Sequence, residues 1–298
     1  MQSTILIFLD GVGIGKKDPR SNPFFKYHFK FLKEVFGDVP HLDNQRLNSS
    51  NAYLFPTDAV MGVKGLPQSG TGQTSIFAGV NAPAIIDKHF GPYPYSTLLP
   101  TLEKKNIWKE FLDRKLTATF VNAYPKIFFD YINSGRKRLS VTSLSCLMTG
   151  VKLKNSTDLR KGAALSAEID NLRWVERLGY KLPIIKPATA AKRLLKISDN
   201  NNLSVFEFYL TDHLGHGRHP DLLKYTLSIL DDFLFYMINN IGERTLVICS
   251  DHGNLEDLSI KSHTTNPSLT ITAGKHAERL SKEIKALYDI KHSILGLY

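Results

Sequence analysis

The chain has 298 residues, 42% of them hydrophobic, two cysteines, and 38 Lys plus Arg against 28 Asp plus Glu, a formal charge of +10. That length and apolar share exclude a disordered or fibrous chain and suit one large domain or two modest ones. Cys146 and Cys249 have neither paired nor metal-site spacing, which excludes a disulfide scaffold and points to a reducing compartment; the positive excess favours acidic partners and says nothing about fold.

"TILIFLD", Thr4 to Asp10, is a short apolar run that passes directly into acid and glycine, as a buried parallel strand does at the edge of an α/β sheet. It lacks the basic leader and cleavage site of a signal segment, and no run reaches the ~20 apolar residues of a membrane span, so a soluble cytoplasmic protein with no membrane partner is expected. "PQSGTGQTSIFAGVN", Pro67 to Asn81, has the glycines of a phosphate cradle and a helix expected over Gln73 to Val80, but lacks the lysine of a nucleotide-binding loop. "IIDKHFGPYPYS", Ile85 to Ser96, reads as a rim loop or a connection packed by Tyr93 and Tyr95. "YSTLLPTLEKKNIWKEFLDRK", from Tyr95, is a helix candidate, and "LTATFVNAYP", from Leu116, a strand candidate.

The α/β rhythm breaks over residues 126–183. The basic cluster "SGRKRLS" and the polar "KLKNSTDLRKG" are read as part of a small inserted cap, with residues 1–125 and 184–298 forming the core. The helix candidate "PATAAKRLLKI" then leads into a strand, "LSVFEFYLTD", that ends at Asp212. The apolar residues of "HPDLLKYTLSILDDFLFYMINNI" have helical spacing, and "TLVICSD" is a third strand ending in acid, with Cys249 a buried thiol. Three strand-to-Asp junctions can converge on one crevice at the carboxyl ends of the strands.

Two segments carry most of the chemistry, "TDHLGHGRHP" and "SDHGNLEDLSIKSHTTNP". Asp212 and His216 are four apart, so one helical turn puts both on one face, Asp251 and His252 can diverge from a strand end, and His263 follows on a loop. Imidazole and carboxylate without thiolate suit Mn²⁺, Zn²⁺ or Mg²⁺.

"DHGNLED" followed by "SHTTNP", together with "DHLGH" and "LDGVG", resembles the alkaline phosphatase superfamily, and within it the cofactor-independent phosphoglycerate mutases and phosphopentomutases. The resemblance covers roughly residues 1–123 and 184–275. It implies an alkaline phosphatase-like three-layer core, with a mostly parallel sheet and a small inserted cap. It also implies two divalent metal ions, one held by Asp212, His216 and His263, the other by Asp10, Asp251 and His252 with Ser69 bridging toward it. The nucleophile it implies is Ser69, with Gly79 ten positions on and "S-x-x-G-Q" mirroring the mutases' "S-x-x-G-H"; Thr71 is the alternative. Gly70 and Gly72 would then free the backbone around an activated hydroxyl, and the following helix would aim amides at a phosphate.

The sequence departs from the mutases at Gln73, where they have histidine, and in its small insert. Candidate phosphate or substrate contacts are Gln73, Arg136, Lys137, Arg138, Arg160, Lys161, His213 and Arg218, with His213, Arg218 or His219 also candidates to donate a proton to the leaving group. Asn254 and Glu256 are candidates to orient His252 or Asp251. The reading is a phosphatase or phosphomutase for a small phosphorylated metabolite, acting through a phosphoserine. The alternatives are a phosphodiesterase or nuclease-like hydrolase, and a catalytically silent metal-binding protein. Nucleic acid is not the expected partner, since no aromatic-studded basic stripe is present.

Overall fold

A computed structural model describes residues 1–136 and 138–298; Lys137 lies outside the described residues. Seven strands form one sheet: β1 (Thr4–Leu9), β2 (Leu47–Asn48), β3 (Ala52–Thr57), β4 (Ala118–Phe120), β7 (Leu203–Phe208), β8 (Thr245–Ser250) and β9 (Ser268–Gly274), in the order β2-β3-β9-β8-β1-β7-β4. β8, β1, β7 and β4 run parallel, while β9 is antiparallel to both β8 and β3. The remaining pair, β5 (Ala123–Tyr124) and β6 (Lys154–Asn155), lies apart as a small parallel sheet.

The central strands are covered on both faces, as their near-continuous apolar sequence requires. In β1, Ile5, Ile7 and Leu9 enter one core, with the helices Pro187–Ser198 and Leu223–Asn239, and Leu6 and Phe8 enter the other, with the helices Ser69–Ala78 and Asp289–Leu295. The period-2 alternation of the strands thus builds the expected three layers, helix, sheet and helix.

Within residues 126–183 the helix Val141–Thr149 sends Val141 and Cys146 into the second of these cores, so this stretch packs under the sheet. Around it, Leu159, Ala164 and Trp174 form a small cluster of their own with Ala123. Among the described residues no helix is long and apolar enough to cross a membrane.

Two expected elements differ. The helix of the glycine loop begins at Ser69 and not at Gln73, because Gly70 and Gly72 occupy helical positions. Their role is close approach. A Cβ on Gly70 would lie 2.1 Å from the Tyr93 carbonyl oxygen, and one on Gly72 would lie 2.8 Å from that of Asp251. The Tyr95–Lys115 stretch is broken at Asn106, whose side chain caps the helix Ile107–Asp113 by accepting from the Lys109 amide at 3.0 Å.

Gly72 therefore sets the distance between the helix and the strand end that carries Asp251. We expect Gly72→Ala to lower metal affinity at least tenfold and to destabilise the fold by about 1–3 kcal/mol, the usual cost of overpacking. Calorimetric metal titration and thermal melts check this; unchanged metal affinity would refute it.

Candidate metal centre

Because β7, β1 and β8 are parallel neighbours, their carboxyl ends deliver Asp10, Asp212 and Asp251 to one place. Asp212 sits in the first turn of the helix Leu210–Gly215 and His216 caps its C-terminus, which brings Asp212 Oδ1 within 3.3 Å of His216 Nε2. The loop after β8 returns His263 to the same point, with Nε2 3.2 Å from His216 Nε2 and 3.5 Å from Asp212 Oδ1. On the other side, His252 Nε2 lies 3.3 Å from Asp10 Oδ1, 3.6 Å from Asp251 Oδ2 and 3.0 Å from Ser69 Oγ.

Each of the three imidazoles faces a backbone carbonyl through Nδ1: His216 that of Lys261 at 2.7 Å, His263 that of Pro67 at 2.7 Å, and His252 that of Gly253 at 3.3 Å. A carbonyl only accepts, so Nδ1 carries the proton and Nε2 of a neutral ring presents a lone pair. Two such lone pairs face each other across 3.2 Å beside a carboxylate. That arrangement is repulsive unless a cation lies between, and pinning of Nδ1 to a carbonyl is how metal-binding imidazoles are oriented.

The acids say the same. Asp10 Oδ1 and Asp251 Oδ2 are buried without a hydrogen-bond partner. Burial, then the neighbouring Asp251, pushes Asp10 up to about 8, and burial pushes Asp251 up to about 6. Burial opposes a proton on His252, yet Asp251 and Asp10 outweigh it and lift His252 to about 10. Burial also works against ionising Asp212, but His263, His252 and the Asn254 amide hold it below the usual carboxylate range. Three carboxylates are gathered around His252 on one floor, and a divalent ion bound there would relieve their mutual repulsion.

The ligand atoms fall into two groups, Asp212, His216 and His263, and Asp10, Asp212 and His252, each within 4.8 Å. Asp212 is therefore shared by both groups, and Asp251 Oδ2 lies beside the second, 3.6 Å from His252 Nε2. Oxygen and imidazole donors without thiolate fit Zn²⁺ or Mn²⁺.

Ser69 and Gln73, one turn apart, both face this floor, Gln73 donating from Nε2 to Asp10 Oδ2 at 3.5 Å. Thr71 does not. Its hydroxyl donates to the Gln68 carbonyl at 3.1 Å and accepts from the Phe90 amide at 3.2 Å, anchoring the loop to the segment before Tyr93. The Thr71 amide is likewise taken by the Phe90 carbonyl at 2.9 Å, which leaves the Ser69 and Gly70 amides as the first-turn donors without a protein acceptor among the described residues. Asn254 orients Asp212, donating to Oδ1 at 2.7 Å, and neither His252 nor Asp251. Glu256 ties loops together, accepting from the Gly13 and Asn254 amides at 3.0 and 2.7 Å.

A cleft of about 1090 Å³ opens above the floor, and Arg138, His213, Arg218 and the rim residues Gly91, Pro92 and Tyr93 line it. Arg136 and Arg160 are outside it: Arg136 stacks 5.5 Å over the Tyr131 ring, and Arg160, at the end of the helix Ser156–Arg160, is exposed. Burial, then Arg218, pushes His213 down to about 4, so at neutral pH it offers a contact and not a proton.

Three residues that sequence reading passed over also line the cleft: Arg173, Arg177 and Glu207. The arginines are spaced four apart in "LRWVERLG", one helical face, but only the folded chain shows which way that face turns. Glu207 interrupts the apolar strand "LSVFEF"; Thr142 donates to its Oε2 at 2.6 Å, and burial pushes it up to about 7.

Glu168, another buried acid of the cleft, is pushed up to about 7 by burial and accepts from the Trp174 amide at 3.3 Å. An acid raised above its unfolded pKa binds a proton in the native state that the unfolded chain has lost between pH 4.5 and about 7. Stability therefore falls as pH rises through that window, and the cost is full above it. We expect Glu168→Gln to raise stability by roughly 2 kcal/mol at pH 8 and to leave it unchanged near pH 4. Urea melts at both pH values decide it, and an equal effect at both would sink it.

The PH0037 protein of Pyrococcus horikoshii superposes with a TM-score of 0.58 at 12% identity, over 100% of this chain and 97% of that one. A cold-active alkaline phosphatase from a psychrophilic Shewanella superposes with a TM-score of 0.53 at 10% identity, over 100% and 99%. At such identities the likeness is one of fold, and the chain has the alkaline phosphatase-like α/β fold. Residues 184–297, which hold Asp212, His216, Asp251, His252 and His263, match the family model described as the metalloenzyme superfamily. A comparison with curated proteins returns no match.

Proposed function

We propose that the chain is a two-metal-dependent phosphoryl-transfer enzyme, a phosphatase or phosphomutase, that acts on phosphomonoesters through a phosphoserine at Ser69. The observation that carries this reading is the convergence of three imidazole Nε2 atoms and two unpartnered carboxylate oxygens beside one buried serine hydroxyl.

Asp212, His216 and His263 would hold one ion, and Asp10, Asp251 and His252 the other. Divalent ions bound there supply a lowered hydroxyl pKa and charge to offset that building on a phosphoryl group. Ser69 Oγ is placed to attack phosphorus, at the first position of its helix, where the Ser69 and Gly70 amides can bind the phosphoryl oxygens. Gln73 orients Asp10 through its amide. Arg138 and Arg218 reach into the cleft to grip an anionic substrate. Release of the phosphoryl group to water makes a phosphatase, and return to a second hydroxyl of a retained product makes a mutase.

The test is phosphate release and phosphoryl transfer from a panel of mono- and diesters with Mn²⁺, Zn²⁺, Mg²⁺ or chelator. Metal-dependent turnover of monoesters above diesters is the expected result. A diesterase is the second reading, favoured by the charge of +10, and bis-esters outrunning mono-esters would establish it. Tight metal binding with no turnover of any ester would leave the silent metal-binding protein.

A further inference from the structure

The cleft above the metal floor is larger than a small sugar or triose phosphate calls for, and it carries aromatic side chains. Its volume of about 1090 Å³ is slightly above the range of sites that enclose ligands of drug size, roughly 300–1,000 Å³. Its far side is aromatic. Phe128, on the cap helix Lys126–Asn133, stacks on Tyr124 with ring centroids 3.8 Å apart and planes 15° from parallel. That helix, "KIFFDYIN", has no fully buried residue although half of it is large and apolar, so its apolar side is only part-covered by the protein. Large apolar side chains also stand exposed at the mouth: Leu66 at 42%, Tyr93 at 40% and Leu178 at 44%. They come from three separate segments, two of the core and one of the cap, which is more than the scattered exposure ordinary surfaces show.

The same wall is basic. Arg173 and Arg177 line it one turn apart, and among the described residues no carboxylate lies within 4.0 Å of either guanidinium. Arg173 meets only the Tyr209 hydroxyl, at 3.4 Å. Guanidinium planes stack on aromatic rings and pair with anions, so arginines without a carboxylate partner in a cleft also lined by aromatic side chains suit a flat ring that carries negative charge nearby.

We propose that the substrate is a nucleotide-sized phosphomonoester, with its phosphate at the metal floor and a planar aromatic ring held against Phe128, Tyr93 and the arginine wall. This rests on the phosphomonoester reading above and narrows its substrate from a small metabolite to one bearing a ring.

The test separates the two claims by measuring binding without turnover. Metal-loaded Ser69→Ala is titrated calorimetrically with adenosine 5′-monophosphate and with ribose 5-phosphate, which differ only in the base. The expected result is an affinity at least about tenfold higher for the nucleotide, the size of one base stacked on an aromatic side chain. That ratio should fall toward one in the Phe128→Ala background, and also with Tyr93→Ala, whose exposed position spares the fold. Equal affinity for the two ligands, or a ratio that neither second substitution moves, overturns the proposal. Absence of turnover by the wild-type enzyme on every monoester would instead overturn the reading of its chemistry, whatever the binding ratio.

Discussion

Ser69→Ala should abolish phosphomonoester turnover, by three orders of magnitude or more, while both metals still bind and the melting temperature stays within a few degrees of wild type. The hydroxyl is 3.0 Å from His252 Nε2, at the first position of the helix Ser69–Ala78, and no neighbouring hydroxyl can replace it. Thr71 faces away, its oxygen engaged by the Gln68 carbonyl and the Phe90 amide. Loss of a nucleophile removes the covalent route entirely, and what survives is the catalysis that bound groups give to direct attack by water. Thr71→Ala is the contrast. It deletes two hydrogen bonds in a buried loop and should cost stability, by about 1–2 kcal/mol, with turnover reduced far less. Initial rates and thermal melts on the two variants distinguish the roles; full loss with Thr71→Ala and residual activity with Ser69→Ala would reverse the assignment.

Removal of divalent ions should be the second large effect, and it acts on the fold as well as on turnover. Chelation leaves Asp10, Asp212 and Asp251 and three imidazoles facing one another in a buried site without the charge that balances them. Ions held at a hundred times their dissociation constant stabilise the native state by about 2.7 kcal/mol per site. For a chain of this size that is roughly 4–5 °C in melting temperature per site. Chelated protein should therefore melt at least about 5 °C lower, show no turnover, and recover both on addition of Zn²⁺ or Mn²⁺. Asp251→Asn should recover only part of the stability, because an amide removes a carboxylate charge 3.6 Å from His252 of the second group and leaves the first group intact. A melting temperature indifferent to chelator would remove the basis for a metal centre.

The two arginine candidates of the cap that fall outside the cleft, Arg136 and Arg160, show where sequence reading gives out. They lie in polar stretches with no strand or long helix to set their direction, and each ends on an exposed face. Arg173 and Arg177 look no different in sequence, yet the small cluster of Leu159, Ala164 and Trp174 turns their helix toward the cleft. The helix start at Ser69 was hidden for a related reason. Glycine in a loop-like run normally signals freedom of the backbone, and here it signals that Tyr93 and Asp251 approach too closely for any side chain.

By itself the sequence determined the class of fold and which acids stand at the strand ends. Strand periodicity with acids at three strand ends leaves few ways to build an open sheet, and a parallel sheet necessarily gathers those ends at one edge. Only the tertiary structure decided the rest: which hydroxyl of the glycine loop meets His252, that Asp212 is shared by both ligand groups, and which basic side chains reach the cleft. These depend on contacts between segments far apart in the chain, such as Phe90 with Thr71 and the Pro67 carbonyl with His263, and no local periodicity encodes them.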